Sequence, residues 1–222
     1  MRLSHRQLIL LTVFAIAMGC FEAVLVVHLR HLYYPEDPLT IFPPRLLTEA
    51  DLVLELAREA ATAVMILCVA WLAERGFVRV FAAFVYVFGL WDIFYYVWLK
   101  ATIGWPVTWG EWDVLYLIPW AWLGPWLTPV VIAVLFVLWG GFVITSRRGY
   151  RFTKTAAMIF LIGTFLALAA FLQPALPLVA RGLEAFRRFE PGGFWWGLYI
   201  PGVLLMGLGL GLALRRSESA GA

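Results

Sequence analysis

Asparagine is missing from this 222-residue chain, lysine occurs twice, and charged residues make up only 14%. A soluble domain is about half apolar and about a quarter charged. Here the apolar share is 63% and the mean hydropathy is +0.86, so composition alone excludes an ordinary soluble domain and points to a membrane protein. Serine is scarce and no G-x-S-x-G elbow occurs, which removes the usual serine-hydrolase reading. Phosphate-binding P-loops and dinucleotide fingerprints are also missing. The longest polar connection is about 24 residues, too short for a soluble domain.

The net charge of +3 rests almost wholly on arginine, fifteen residues against two lysines. With asparagine absent, that bias reads as a GC-rich genome and avoidance of thermolabile amides, not as nucleic-acid binding. The two cysteines, Cys20 and Cys68, lie inside apolar runs and form neither a disulfide framework nor a metal knuckle. Small core residues are the expectation. MRLSHRQ followed by an apolar run imitates a signal peptide. That run is about 20 residues long, however, and ends in LRHLYYPED without a small-residue cleavage site, so it reads as a retained first span.

What is present is length and apolarity. Six spans are expected, at Gln7–Val27, Leu52–Ala73, Val78–Trp98, Trp126–Thr145, Thr155–Leu172 and Phe194–Leu214, giving an all-α polytopic bundle in one domain over residues 1–222. Each is near the ~20 residues that cross the hydrocarbon core. The twelve tryptophans gather toward the ends of these runs, as in aromatic belts. One flank carries Arg2, Arg6, Arg75, Arg79, Arg215, Arg216 and the RRGYRFTK loop. The other carries Arg30, Arg45, Lys100, Arg181, Arg187 and Arg188. Ten basic residues against six are expected to place both termini in the cytoplasm.

The outer connections are the longer ones. HLYYPEDPLTIFPPRLLTEAD holds four prolines and a capping box from Thr48 to Asp51. KATIGWPVTWGEWDVLYLIPWAWLGPW carries a capping signal, Thr108…Glu111, and is then broken by Pro119 and Gly124-Pro125. Over residues 108–123 an interfacial helix or a re-entrant hairpin is expected, because irregular backbone at membrane depth survives only against protein or a wet cavity. Residues 177–189 alternate like an amphipathic interfacial helix with Arg181, Glu184, Arg187 and Arg188 on its wet face. The last span contains Pro201 and Gly207-x-x-x-Gly211, a close-packing signal that fits a seam within the chain, a homo-oligomer or a larger membrane complex.

Ionisable residues inside spans cost about +2.5 to +3.5 kcal/mol each, so each needs a reason. Counted at 1.5 Å per residue, Glu22, Arg58, Glu59 and Asp92 fall within about two helical turns of one another in depth, in the outer half. Consecutive helices joined by loops usually pack together, so one shared site is expected, with Asp92, Glu59, Glu22 and Arg58 as its chemical groups. Glu55, Arg58, Glu59 and Thr62 share one helix face. Tyr95 and Tyr96, at i+3 and i+4 from Asp92, could hydrogen-bond it. Four acids against Arg58 leave an excess of negative charge, or two negatives if Glu55 reaches water. Buried carboxylates cannot all stay ionised unpartnered. They must hold protons, bind a cation, or meet Arg30, Arg45 or Lys100. Arg58 bridging Glu22 and Asp92 as a structural network is the competing account.

Other chemistries fit less well. His28 and His31 sit on one helix and His5 at the far flank, which does not suit bis-His haem ligation. The Glu-x-x-His pairs of di-iron bundles are lacking. A hard cation held by Glu22, Glu59 and Asp92 is a chemical alternative, although no metal is assigned. Asp92 in GLWD and Asp113 in GEWD would be the pair of an aspartyl intramembrane protease, but Asp113 lies outside the spans. Trp105, Trp109, Trp112, Trp120, Trp122 and Trp126 form a belt that could also wall a cleft. Ligand-binding candidates are therefore Glu55, Tyr95, Tyr96, Trp105, Trp112 and Asp113.

The block WDIFYYVWLK…GWP…WDVLYLIPWAWLGP, with GCFEA and ELAREAAT upstream, resembles a group of uncharacterised bacterial polytopic membrane proteins. The likeness covers about the first four spans, and it implies the fold without adding a reaction. A fainter likeness is to the carotenoid-cyclase type, where a Trp-Asp pair precedes a Gly-Trp loop and a proline-containing helix. The Pro-x-Glu-Glu element of that type is replaced here by IPWAWLGP, so its activity does not carry over. Three functions stay open: binding or transforming a lipidic, isoprenoid-like small molecule; a non-catalytic subunit of a membrane assembly; and proton or cation translocation. The last is weakened because no charge continues a path through the inner half of the spans. Membrane lipids are the expected surroundings, with no nucleic acid and no defined cofactor.

Overall fold

The computed structural model describes residues 4–37, 39, 49–118, 120–179 and 189–215. Its elements are α1 (His5–Tyr33), α2 (Glu49–Ala73), α3 (Phe77–Ile103), strands β1 (Trp112–Tyr116) and β2 (Trp122–Pro125), α4 (Leu127–Thr145), α5 (Lys154–Leu172), a 3-10 turn (Gln173–Ala175), the short α6 (Leu176–Val179) and α7 (Trp196–Ala213). Among the described residues the fold is helical apart from one two-stranded hairpin. Five helices are long and apolar enough to cross a membrane: α1, α3, α4, α5 continued to Ala175, and α7. Large apolar side chains such as Phe21, Leu72, Leu138, Phe165 and Leu204 stand exposed on the bundle's outside, which suits a lipid solvent.

Local signals set the helix ends. Ser4 and Gln7 form a reciprocal capping box that starts α1, and Thr153 caps α5 through the Ala156 N–H. α3 runs a turn beyond the expected Trp98 and stops at Gly104, whose φ of 74° is the left-handed conformation that closes a helix.

Helix pairs then lock through small residues and a few polar ties. α1 and α3 run in the same direction: Thr12 Oγ1 lies 2.8 Å from the Tyr86 hydroxyl, and Gly19 packs against the backbone of residues 91–95. A Cβ at Gly19 would come within 2.9 Å of the Trp91 carbonyl, so only glycine allows this approach one turn before Glu22. α5 and α7 are antiparallel, with Gly163 against Gly202 and Met206. It is these glycines that pack α7 here, whereas Gly211 faces open space. The Trp139 indole donates to Leu210 O at 2.9 Å, and the Tyr199 hydroxyl to Thr128 O at 2.7 Å, joining α4 to α7. At the end of the bundle remote from the hairpin, Arg79 grips Glu74 with two nitrogens (2.6 and 2.8 Å) and donates to the carbonyls of Val143, Ile144 and Ser146. A cation thus closes the C-terminus of α4.

The connection after α3 departs from expectation. Residues 108–123, expected as an interfacial helix or a re-entrant hairpin, are no helix: the chain makes an antiparallel β-hairpin, Asp113 opposite Gly124 and Val114 opposite Leu123, with an irregularity between Val114 and Tyr116. WDVLY is rich in strand-favouring side chains, and Pro119 with Gly124-Pro125 denies a helix the length it needs. The Thr108…Glu111 signal caps a turn instead: the Glu111 carboxylate accepts from the Val107 and Thr108 N–H groups at 2.8–3.0 Å. Of the expected helix at 177–189, Leu176–Val179 is helical, while Arg181, Glu184, Arg187 and Arg188 lie outside the described residues, as do Arg45 and Thr48.

Candidate functional site

Three helices and the hairpin enclose a cavity of about 70 Å³. Its wall is Glu22 and Val26 of α1, Arg58, Glu59 and Thr62 of α2, Trp91, Asp92, Tyr95 and Tyr96 of α3, and Val114, Leu115 and Tyr116 of β1. All four residues expected to share a site therefore line one space. Its size suits a few waters or a small polar group, well below the ~300–1,000 Å³ that takes a whole drug-sized ligand.

Their pairing differs from the expected bridge. The Arg58 guanidinium contacts Glu22 on α1 through Nη1 and holds Glu55 at 2.7–2.8 Å through Nη2 and Nε, so it ties Glu22 to Glu55 and not to Asp92. One helical turn separates Glu55 from Arg58, and α1 crosses where Glu22 can reach the same fork. Glu59, 6% exposed, is engaged from above: both its oxygens accept from the Leu117 N–H, at 2.9 and 3.1 Å, and the Tyr116 hydroxyl donates to its carbonyl at 3.2 Å. The hairpin is thereby latched to α2. Burial, and next the nearby Glu59 charge, push the Tyr116 phenol up.

Asp92 is different. Neither tyrosine bonds it, contrary to the i+3/i+4 expectation, because Tyr96 turns its hydroxyl to Asp113 Oδ2 at 3.0 Å. Asp92 Oδ2 is sealed from water with no hydrogen-bond partner, while the residue as a whole lines the cavity. Trp91 Nε1 beside it also lacks an acceptor. Lys100 does not fold back to the acids; its ammonium binds Gly104 O and Pro106 O at 2.9 and 2.8 Å. Arg30 is buried with its guanidinium 4.2 Å over the Trp105 ring.

The remaining ligand-binding candidates separate. Asp113, only 4% exposed, stands next to the cavity through Tyr96. Burial pushes its carboxyl up to about 6, against the lowering influence of Arg30 and the Tyr96 hydrogen bond. Glu55 belongs to the Arg58 tie. Trp105 packs behind Tyr96 and does not reach the cavity. Trp112 faces the other way, onto Phe189 and Phe194. Five wall residues, Val26, Trp91, Val114, Leu115 and Tyr116, were not anticipated. The signal for Trp91 was its place beside Asp92, and for Tyr116 the apolar alternation of WDVLY, which marks a strand with one inward face.

Among the described residues no three His, Cys, Asp or Glu side chains converge as a metal-ligand set. Cys68 is exposed and Cys20 half-buried, so the expected core role fails for Cys68. His28 Nδ1 lies 2.7 Å from Val24 O on its own helix. No family model, no curated protein and no solved structure matches this chain.

Proposed function

We propose that the protein holds, and acts by proton transfer upon, the polar head of a lipidic, isoprenoid-like small molecule at this cavity. The observation that carries the reading is Asp92: an acid without a partner on the wall of a space that other side chains leave open. An unpaired acid in an apolar bundle is costly, and such groups persist where a ligand or reaction uses them. The small volume suits a head group with its tail left in lipid. Asp92 is the acid/base group, Glu59 and Tyr116 hold the hairpin over the site, and Arg58 orients Glu22. In this reading α2 is a sixth span, the cavity lies in the outer half of a bacterial inner membrane, and both termini are cytoplasmic.

A second reading has its own observation. The Arg58 fork is filled by Glu22 and Glu55, as a purely structural tie would be, and this favours a non-catalytic subunit whose charges fix helix register.

One experiment separates the two. The full chain is purified in mild detergent, and native mass spectrometry compares wild type with Asp92→Asn. A co-purifying amphiphile that disappears in Asp92→Asn, with thermal stability kept, is the expected result. An amphiphile-free wild type, with Asp92→Asn clearly less stable, would overturn the proposal in favour of the structural network.

A further inference from the structure

The cavity's polar groups divide into engaged and idle ones. Glu22 is held by Arg58, Glu59 by the Leu117 N–H, and Tyr96 by Asp113. Four are idle among the described residues: the Asp92 carboxylate, the hydroxyls of Thr62 and Tyr95 and the Trp91 indole N–H make no hydrogen bond, and the first three can accept one. Thr62 is the informative one, since it is only 5% exposed. Helical threonines in apolar surroundings commonly bond back to the carbonyl four residues earlier. Thr12, Thr102, Thr145 and Thr164 all do so here, at 2.6–2.9 Å. Thr62 does not; the residue is buried, and its hydroxyl stands unused on the cavity wall.

Charge and shape add to this. Glu22, Glu59 and Asp92 against Arg58 leave the wall with an excess of formal negative charge, and the rings of Trp91, Tyr95, Tyr96 and Tyr116 surround it. We propose that the head group received at this cavity is a primary ammonium. This deepens the reading of the preceding subsection and rests on it. An R–NH₃⁺ group offers three N–H donors, and Asp92, Thr62 and Tyr95 offer three idle acceptors. Its charge answers the acidic excess, and aromatic faces favour a cation further. A hydroxyl head brings one donor and no charge. A quaternary ammonium brings charge and no donor. The carrier is either a single-chain amine or an ethanolamine phospholipid. The second would set its phosphate beside the acids, so the single-chain amine is favoured.

The test uses the full chain in phosphatidylcholine nanodiscs and a C12 primary amine bearing a mid-chain diazirine, with crosslinks mapped by peptide mass spectrometry. Expected is saturable labelling of peptides bearing Thr62 and residues 91–96, competed by dodecylamine but not by dodecanol or dodecyltrimethylammonium. Asp92→Asn lowers that labelling at least about tenfold, and Thr62→Val or Tyr95→Phe about three- to tenfold. The last two keep the side-chain shape and remain informative should Asp92→Asn not fold. Competition by phosphatidylethanolamine that exceeds dodecylamine would assign the same ammonium to the phospholipid and overturn the single-chain carrier. Competition by dodecanol as strong as by dodecylamine overturns the ammonium while leaving an amphiphile site in place. Absence of saturable labelling at these peptides, repeated with the matching alcohol probe, overturns both readings together.

Discussion

Tyr96 donates its hydroxyl to Asp113 Oδ2 at 3.0 Å, and both residues are closed off from solvent. The bond fastens α3 to β1, the strand that supplies three residues of the cavity wall. Tyr96→Phe leaves a buried acid short of a donor. The expected loss is about 1–3 kcal/mol, read as a lower midpoint of thermal unfolding in detergent. A loss below about 0.5 kcal/mol, the scale of an inert surface change, would show that the bond does not hold the hairpin.

Asp113 also sets a pH dependence. Its folded-state pKa is raised by burial from 3.8 to about 6. The native state therefore binds the proton more tightly than the unfolded state, and the stabilisation is full below about pH 4 and lost as pH rises through about 6. A shift of that size is worth about 3 kcal/mol. Wild type should lose stability relative to Asp113→Asn across that interval, with the difference constant above about pH 7. Parallel unfolding curves for the two proteins from pH 4 to 7 would contradict the assignment.

Arg58 and Asp92 should respond in opposite ways. Arg58→Met strips the only cationic partner from Glu22 and Glu55 among the described residues and is expected to cost about 1–3 kcal/mol, discounted because the guanidinium is partly exposed. Asp92→Asn removes an acid that has no partner to lose, so stability should hold or rise. Urea or thermal unfolding of both variants checks the contrast. Equal destabilisation would place Asp92 in the structural tie.

Gly163 sits where α5 and α7 meet most closely, and a Cβ there would come within 2.5 Å of Gly202 O and Met206 N, both backbone atoms. Gly163→Val should cost about 1–3 kcal/mol or more, whereas Gly211→Ala, with nothing near its Cβ, should be neutral. Unfolding midpoints of the two variants give the comparison. A neutral Gly163→Val would mean that the helices can separate freely.

Much of the architecture was legible because apolar length is a strong one-dimensional signal: the six expected segments all fall on helices, five of them long and apolar enough to cross a membrane, and Glu22, Arg58, Glu59 and Asp92 line one cavity. Partner choice within the site was not legible. Helical spacing places Tyr96 near Asp92, but spacing does not reveal that a later strand brings a better-placed acceptor, Asp113. That this connection is built of strands was missed for a related reason. WDVLYLIPWAWLGP is apolar throughout, so its periodicity is ambiguous, and only the position of its prolines and glycine separates strand from interfacial helix. Likewise Gly207-x-x-x-Gly211 is a visible motif, yet helix rotation hands the close packing to Gly202 and Gly209.

The latch between Glu59 and Leu117 joins residues 58 positions apart. A ribosome delivers Glu59 well before the amide that will cover it. The second helix is therefore made bearing an acid whose cover does not yet exist, and α3 is already made when that cover arrives. Biogenesis thus has a built-in waiting period, during which Arg58, Glu55 and Glu22 are the companions already synthesised that can shelter the charged turn.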